Sequence, residues 1–511
     1  MNYADSVLSL CVPICVILMV FFTKRVLLSL FVGILIGGIF MHHDNIFEVL
    51  FYVYTRISSV LYTLQTNEQG HLTLDFNYSS VYVFGFLILL GILSQVIFYS
   101  GAVNAFVKWA RKRVQSAKGS EFIAFIAGIV IFIDDYFNAL TVGQISKSLN
   151  DANHSTRERL AYVIDSTSAP VCILMPISSW GAYIIGIMQT SIPSTAGTGD
   201  SLLVLISSVW SNYYAWFALL AVFLTIYWQI NLPVMSKNKN VGVVDFLQDN
   251  DLNRQSSSSI WLIIIPVFVL IFSIAFMLLW TGYKASEEIN ILNILKNADT
   301  AFSLFYGGLF AVVISIVISL RYLDKSSFLP MFLQGIKSML PAIFILILAW
   351  AIGPVIRDDM QTGLYLANLS KEFLSQGTVV MMPVILFLIS GFIAFATGTS
   401  WGTFAIMLPI GVSVVSASGG DIILSISAVL AGAVYGDHTS PISDTTILSA
   451  TGAGCSVQSH FITQLPYAST AALAALMSFA IASVSSSILA GYIVGIIFLV
   501  GIFYFYKRFY K

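Results

Sequence analysis

Five aspartates stand in apolar stretches that carry no basic residue: Asp134, Asp135, Asp165, Asp437 and Asp444. No Lys or Arg occurs between residues 122 and 146, 160 and 236, or 372 and 506. Carboxylates gathered away from fixed cations hold protons in common or bind a hard cation, because each charge makes its neighbour's more costly. Sodium is matched by carboxylate, hydroxyl, amide and backbone carbonyl oxygens, and the same stretches supply them. Asn138 follows the Asp134-Asp135 pair, Ser166, Thr167 and Ser168 follow Asp165, and Thr399-Ser400 and Ser440, Ser443, Thr445 and Thr446 surround the C-terminal pair. The ion-binding candidates are therefore Asp134, Asp135, Asn138, Asp165, Thr167, Thr399, Ser400, Asp437, Ser440, Asp444 and Thr445. His438, next to Asp437, is a candidate proton carrier. Trp180 and Trp401, each in a Ser-Trp-Gly triplet, are candidate walls of a substrate pocket.

Each assignment has a structural competitor. Asp, Ser and Thr cap helix ends, so Asp165, Asp437 and Asp444 could be caps, as could one of Asp134 and Asp135. His438 could be a packing or hydrogen-bonding residue, and the two tryptophans could fill helix bends. His42, His43, His71 and His460 read as loop residues without a functional role.

The elements that hold these residues follow from composition. Hydrophobic residues make up 58% of the 511 and charged residues 10%, against about 25% charged in soluble domains. The chain reads as an all-α polytopic membrane protein. A net charge of -1 excludes a nucleic-acid partner on bulk electrostatics. The four cysteines have no zinc spacing and read as apolar packing residues. The first apolar run, 7–22, lacks a basic leader and a small-residue cleavage site, so it reads as a first span.

At about 20 apolar residues per span, eleven spans are expected near 6–22, 26–41, 80–99, 158–188, 203–229, 260–280, 301–320, 339–356, 421–455, 464–482 and 486–505. Two interrupted regions, 121–148 and 378–417, are expected to be re-entrant hairpins, and the mixed segment 46–64 an interfacial helix. The expected organisation is N-terminal spans over 1–79, a first repeat over 80–230 and a cytoplasmic loop over 231–259. Connecting spans over 260–338, a second repeat over 339–463 and C-terminal spans over 464–511 follow. With the N-terminus outside, 19 of the 24 basic residues fall on the inner side, and only Arg56, Lys284, Lys296, Arg357 and Lys371 outside. A crossing at 121–148 would move Lys147, Arg157 and Arg159 outward, so charge favours a hairpin there.

The halves repeat weakly. Leu87-Ile88-Leu89 through Gly101 parallels Leu346-Ile347-Leu348 through Gly363, and Ile126-Ala127-Gly128 before the acidic pair parallels Ile389-Ser390-Gly391 before Thr397-Gly398. The segment 165–170 parallels 437–441, so the offset grows from 259 through 263 to 272. The loop after 80–99 is strongly basic and its counterpart after 339–356 is not, so the repeats are expected to be inverted. Interrupted helices meeting at the midplane of inverted repeats are an architecture of secondary transporters. The broken helices are expected to open at 165–170 and 436–446, around Pro170 and Pro441.

The run Gly436-Asp437-x-x-Ser440-Pro441-x-Ser443-Asp444-Thr445-Thr446 resembles the signature of the NhaC family of sodium/proton antiporters, in the ion transporter superfamily. The tips Asp134-Asp135 and Thr399-Ser400-Trp401-Gly402 are similar to elements of that family's transport core, and the resemblance covers about 80–190 and 340–465. It implies an inverted-repeat fold with two re-entrant hairpins, sodium coupling and an elevator-like or rocking cycle; the expected location is the cell membrane, with the N-terminus outside and the C-terminus cytoplasmic by the charge count. Its members resemble sodium/proton antiporters, malate/lactate exchangers and sodium-coupled amino-acid carriers. Expected partners are the bilayer, sodium ions, protons, a small organic solute and a second copy of the chain; no cofactor is expected beyond the coupling ions. The enzyme alternatives are weaker. A Gly-x-Gly-Asp protease site would need Gly at 434, where the chain has Val, and there is no His-Glu-x-x-His.

Overall fold

The computed structural model describes residues 3–23, 25–66, 72–102, 105–106, 113–191, 201–237, 258–286, 290, 294, 297–362, 365 and 379–510. Most of the expected loop 231–259, His71, Gly363 and the basic residues Lys24, Lys108, Arg111, Lys112, Lys239, Arg254, Lys296, Lys371 and Lys511 lie outside them.

Each expected span coincides with helix. Among the described residues seven helices are long and apolar enough to cross a bilayer, or up to nine if each of two bent pairs is one span. Shorter apolar helices are Val7–Met19, Leu27–Met41, Met382–Thr397 and Ile422–His438. The outermost helices carry apolar stripes at helical spacing, Phe268, Phe272 and Phe276 on Trp261–Ala285 and Leu489, Ile493 and Ile497 on Ile488–Phe509, all exposed. Among the described residues no helix covers them, and in a bilayer such stripes face lipid. Two features were not foreseen. The segment 46–64 is a helix only over Ile46–Ser58 and then enters an antiparallel ribbon, Tyr62–Thr66 with Leu72–Phe76. The segment 203–229 is bent by 40° at 210–212, between Ser201–Val209 and Tyr213–Trp228.

Both interrupted regions fold back. In the first, Ala117–Val130 and Asp135–Ala152 flank a turn at 131–134. Across that turn Asn138 Nδ2 donates to the carbonyls of Gly128 and Ile131, each at 2.7 Å. At its mouth Glu121 accepts from Ser155 Oγ at 2.7 Å and pairs with the Arg159 guanidinium at 2.8 Å, so the chain ends where it entered. In the second, Met382–Thr397 and Ser400–Ser418 meet at Gly398, whose φ of +69° favours glycine. Its mouth brings Gly420 against Val379.

The two mouths open at opposite ends. The second broken helix, Ile422–His438 and Asp444–Ala453, starts beside the second mouth at its cap Asp421. It finishes at Gly454, whose carbonyl accepts from Arg157 Nη1 at 3.1 Å beside the first mouth. The inverted arrangement is thus visible in the contacts themselves. The hairpin Met382–Thr397 packs on Ile422–His438 backbone to backbone: a Cβ on Gly436 would meet the Gly391 carbonyl at 2.0 Å, and one on Gly432 the Phe387 carbonyl at 2.3 Å.

The first broken helix corrects the repeat. Arg157–Leu174 runs without interruption through Pro170, and the break lies at Met175-Pro176-Ile177-Ser178, followed by Ser179–Ser191 at a 42° bend. In the turn preceding Pro170, Asn138 Nδ2 also donates to the Thr167 carbonyl at 3.3 Å. The counterpart of Pro176-Ile177-Ser178 is Pro441-Ile442-Ser443, and the hairpin caps Asp134 and Thr399 correspond likewise; every pair is 265 positions apart. Ser178 Oγ accepts from Gly181 N, and Ser443 Oγ from Thr445 N and Thr446 N, so both serines cap the helix that follows. The expected pairing of 165–170 with 437–441 is replaced by this one.

Candidate functional site

The two hairpin tips and the second break converge on Asp437. This residue is one short of the end of Ile422–His438, where the ladder stops and side chains must satisfy free groups. Its Oδ2 accepts from Ser400 N at 3.1 Å and Ser400 Oγ at 2.7 Å, and its Oδ1 from Ser443 Oγ at 2.5 Å. Ser443 Oγ in turn lies 2.8 Å from Thr445 Oγ1. One carboxylate therefore locks the second hairpin tip to both sides of the helix break. Ser440 Oγ donates to the Phe395 carbonyl at 2.7 Å, which ties the break to the same hairpin.

The paired aspartates divide their tasks. Asp134 is the N-cap of Asp135–Ala152, accepting from Phe137 N at 3.1 Å and from Ser179 Oγ at 2.9 Å. Asp135 is fully buried, and neither of its carboxylate oxygens accepts a hydrogen bond of good geometry. Asn138, one turn on, uses Nδ2 on three carbonyls, which fixes its amide orientation and leaves its buried Oδ1 without a partner. The Trp180 indole N–H, also unpartnered, neighbours Asp135, and the Asp437 charge acts on it as well. Buried polar atoms left unpaired cost about 1–3 kcal/mol each, more if charged, which marks these oxygens as the candidate ion-binding acceptors.

Asp165 stands in a second cluster. Its Oδ2 meets His460 Nε2 at 3.0 Å, Gln464 Nε2 at 2.9 Å and Thr446 Oγ1 at 3.4 Å. His438 Nδ1 lies 2.7 Å from Tyr214 OH and its Nε2 3.0 Å from Ser166 Oγ, while its carbonyl accepts from Gln464 Nε2 at 2.6 Å. Thr167 Oγ1 is turned back to the Val163 and Ile164 carbonyls. His460 is not a loop residue: it lies on Val457–Ser485, completely buried. The i,i+4 pair His460 and Gln464 was a legible helix face, yet nothing in the sequence pointed it at Asp165. His42 and His43 lie beside Glu48 and Asp44 at 3.2 Å each.

Asp444 is not the cap of its helix; Ser443 is. Asp444 accepts from Tyr136 OH at 3.2 Å and opens onto a cleft. Asp134, Tyr136, Thr399, Trp401 and Asp444 form one wall of this cleft, and Met339, Pro341 and Ile345 of Phe328–Pro354 form the other. Trp401 reaches it, held by Tyr183, whose OH donates to the Trp401 carbonyl at 2.9 Å. Trp180 is fully buried behind, its ring centroid 5.9 Å from that of Trp401, and does not line it.

Residues 171–484 match the Na+/H+ antiporter family. An uncharacterized protein of Haemophilus influenzae is 35% identical over 519 residues, covering 99% of this chain and 96% of its own length. The malate-2H(+)/Na(+)-lactate antiporter of Bacillus subtilis is 27% identical over 164 residues, 31% of this chain and 32% of that one. The solved structure of Neisseria gonorrhoeae MtrF, described among antimetabolite efflux pumps, superposes with a TM-score of 0.51 at 12% identity over 90% of this chain and 94% of that chain, a likeness of fold alone.

Proposed function

Because the chain belongs to the Na+/H+ antiporter family, we propose that this secondary transporter exchanges sodium ions for protons across the cell membrane by alternating access, with its N-terminus outside and its C-terminus cytoplasmic. The observation that carries this reading is the unpaired acceptor set Asp135 Oδ1, Asp135 Oδ2 and Asn138 Oδ1. A bare sodium ion takes all three oxygens, while a proton neutralises Asp135 and weakens its hold on the cation. Asp437, the nearby second carboxylate, adds charge that favours either occupant. Mutual exclusion of the two ions on one carboxylate is what couples their flows. The hairpin tips, carried between the two broken helices, then move as one unit against Phe328–Pro354.

The test is flux in proteoliposomes with an imposed sodium gradient and a pH-sensitive dye inside. The wild-type chain acidifies or alkalinises the lumen according to the gradient's sign, and Asp135→Asn abolishes the response. An unchanged response in that variant overturns the assignment.

A second reading, coupled transport of a small organic solute, is supported by the cleft with its aromatic and apolar walls and by the partial likeness to the malate/lactate exchanger.

A further inference from the structure

We infer that a file of buried polar atoms along Asp135–Ala152 is a hydrated passage, separate from the cleft, by which a small monovalent cation reaches Asp135 from the first hairpin's mouth. The inference rests on the ion-exchange reading above and names its route. Asn138, Ser146 and Asn150 stand eight and four residues apart, so they share one face of the helix that starts at Asp135. All three are buried. Among the described residues, Asn138 Oδ1, Ser146 Oγ and both side-chain polar atoms of Asn150 find no hydrogen bond of good geometry. At about 1.5 Å per residue the file runs roughly 22 Å from Asp135 to Asn150. It ends at the mouth, where Ser155 N donates to the Asn150 carbonyl at 3.0 Å and Ser155 Oγ to Glu121.

The widest interval, Asn138 to Ser146, is about 12 Å, and the facing helix supplies an atom there. Asp444–Ala453 runs in the same direction as Asp135–Ala152, with Asp444 beside Tyr136 and Gly454 beside Lys147. Its Gly452 lies against Ala139 and Gly143. Ser449, one turn nearer the break than Gly452, is buried and its Oγ also finds no hydrogen bond of good geometry among the described residues.

The second half shows that the hairpin fold does not require these groups. The positions 265 on from Ser146 and Asn150 are Gly411 and Val415. Thr403, 265 on from Asn138, returns its hydroxyl to the Thr399 carbonyl at 2.9 Å. Only the first half therefore carries surplus polar atoms on this face. Buried polar atoms of this kind are satisfied by water, and polar side chains inside a membrane span mark ion routes.

The test uses silver ion, a cation close to sodium in size that reacts with thiols. In the full chain with its four native cysteines replaced, Ser146→Cys and Asn150→Cys are treated with silver nitrate in chloride-free buffer from either face of sealed membrane vesicles. Thiols still free are counted with a maleimide after unfolding. Leu140→Cys, exposed on another face of the same helix, is the reference. Both file positions are expected to react at least tenfold faster than position 140, and at least tenfold faster from the face of the first mouth than from the other. Reaction no faster than at position 140, or equally fast from both faces, overturns the passage. Silver at position 146 is also expected to cut sodium uptake at least tenfold relative to the same variant before treatment, with the cysteine-free chain as blank; full modification with uptake intact overturns it as the cation's route. Size exclusion recognises a misfolded variant, and the other position then decides. Because the thiol count needs no flux, silver reaction beside an absence of sodium–proton exchange in the untreated cysteine-free chain defeats the ion-exchange reading alone.

Discussion

Cys172 and Asp437 occupy one position in the two halves, 265 residues apart, and only one of them is a carboxylate. The hairpin-tip residues that face these positions, Asp135 and Ser400, are 265 apart as well. Each half thus has one carboxylate at the junction, on the broken helix in the second half and on the hairpin tip in the first. In the second half Ser400 donates to Asp437 twice. In the first half the Cys172 thiol is turned to the Phe132 carbonyl at 3.3 Å and gives nothing to Asp135, whose oxygens accept no hydrogen bond of good geometry.

This asymmetry separates the two carboxylates by experiment. Asp135→Asn removes an unpaired buried charge and is expected to raise thermal stability, by about 1–3 kcal/mol, while abolishing sodium-dependent flux. Asp437→Asn strips the charge from three hydrogen bonds and turns one of the two accepting oxygens into a donor, and is expected to lose flux and about 2–3 kcal/mol together. Melting of the detergent-solubilised variants beside their sodium uptake reads both; stability changes of equal sign would refute the distinction.

The Asp165–His460 pair gives a second prediction. Removing one partner of a buried, hydrogen-bonded pair costs about 3–5 kcal/mol. His460→Ala is therefore expected to melt far below wild type, and Asp165→Asn with His460→Gln to recover much of the loss by exchanging the carboxylate–imidazole contact for amide hydrogen bonds. Should Asp165→Asn alone leave the melt unchanged and abolish flux, Asp165 belongs with the ion-binding residues and not with the scaffold.

Backbone contact at the second hairpin predicts a sharp contrast between two glycines. Gly436→Ala places a Cβ 2.0 Å from the Gly391 carbonyl, where nothing flexible can yield, and is expected to prevent assembly. Gly419→Ala meets no atom within 4 Å and is strained only by its φ of +75°, a cost of about 1 kcal/mol. Yield of monodisperse protein on size exclusion compares them.

The opposite mouths predict a labelling pattern. In a chain whose four native cysteines are replaced, Ser116→Cys and Asn153→Cys, on either side of the first hairpin, react with an impermeant maleimide from one face of sealed vesicles, and Gly419→Cys from the other. Labelling of residues 116 and 153 from opposite faces would turn the first hairpin into a crossing.

The sequence by itself determined the membrane class, the positions of the helical segments, the two hairpins and the polar tips. Apolar length and charge are local properties, and Glu121, Ser155 and Arg159 meeting at the first mouth agree with the basic-residue count that suggested a return there. What lay between the segments was decided only in three dimensions. Pro170 looked like the break because a proline after Asp and Ser resembles the stretch at 437–441, but Arg157–Leu174 continues through it and the helix stops only before Pro176. The partner of Asp165 comes from 295 residues away, on a helix whose sequence is mostly apolar and small. That Asp135 is buried without a well-formed hydrogen bond is the least local property of all, since it depends on where every neighbouring donor points, and only the packed structure shows that.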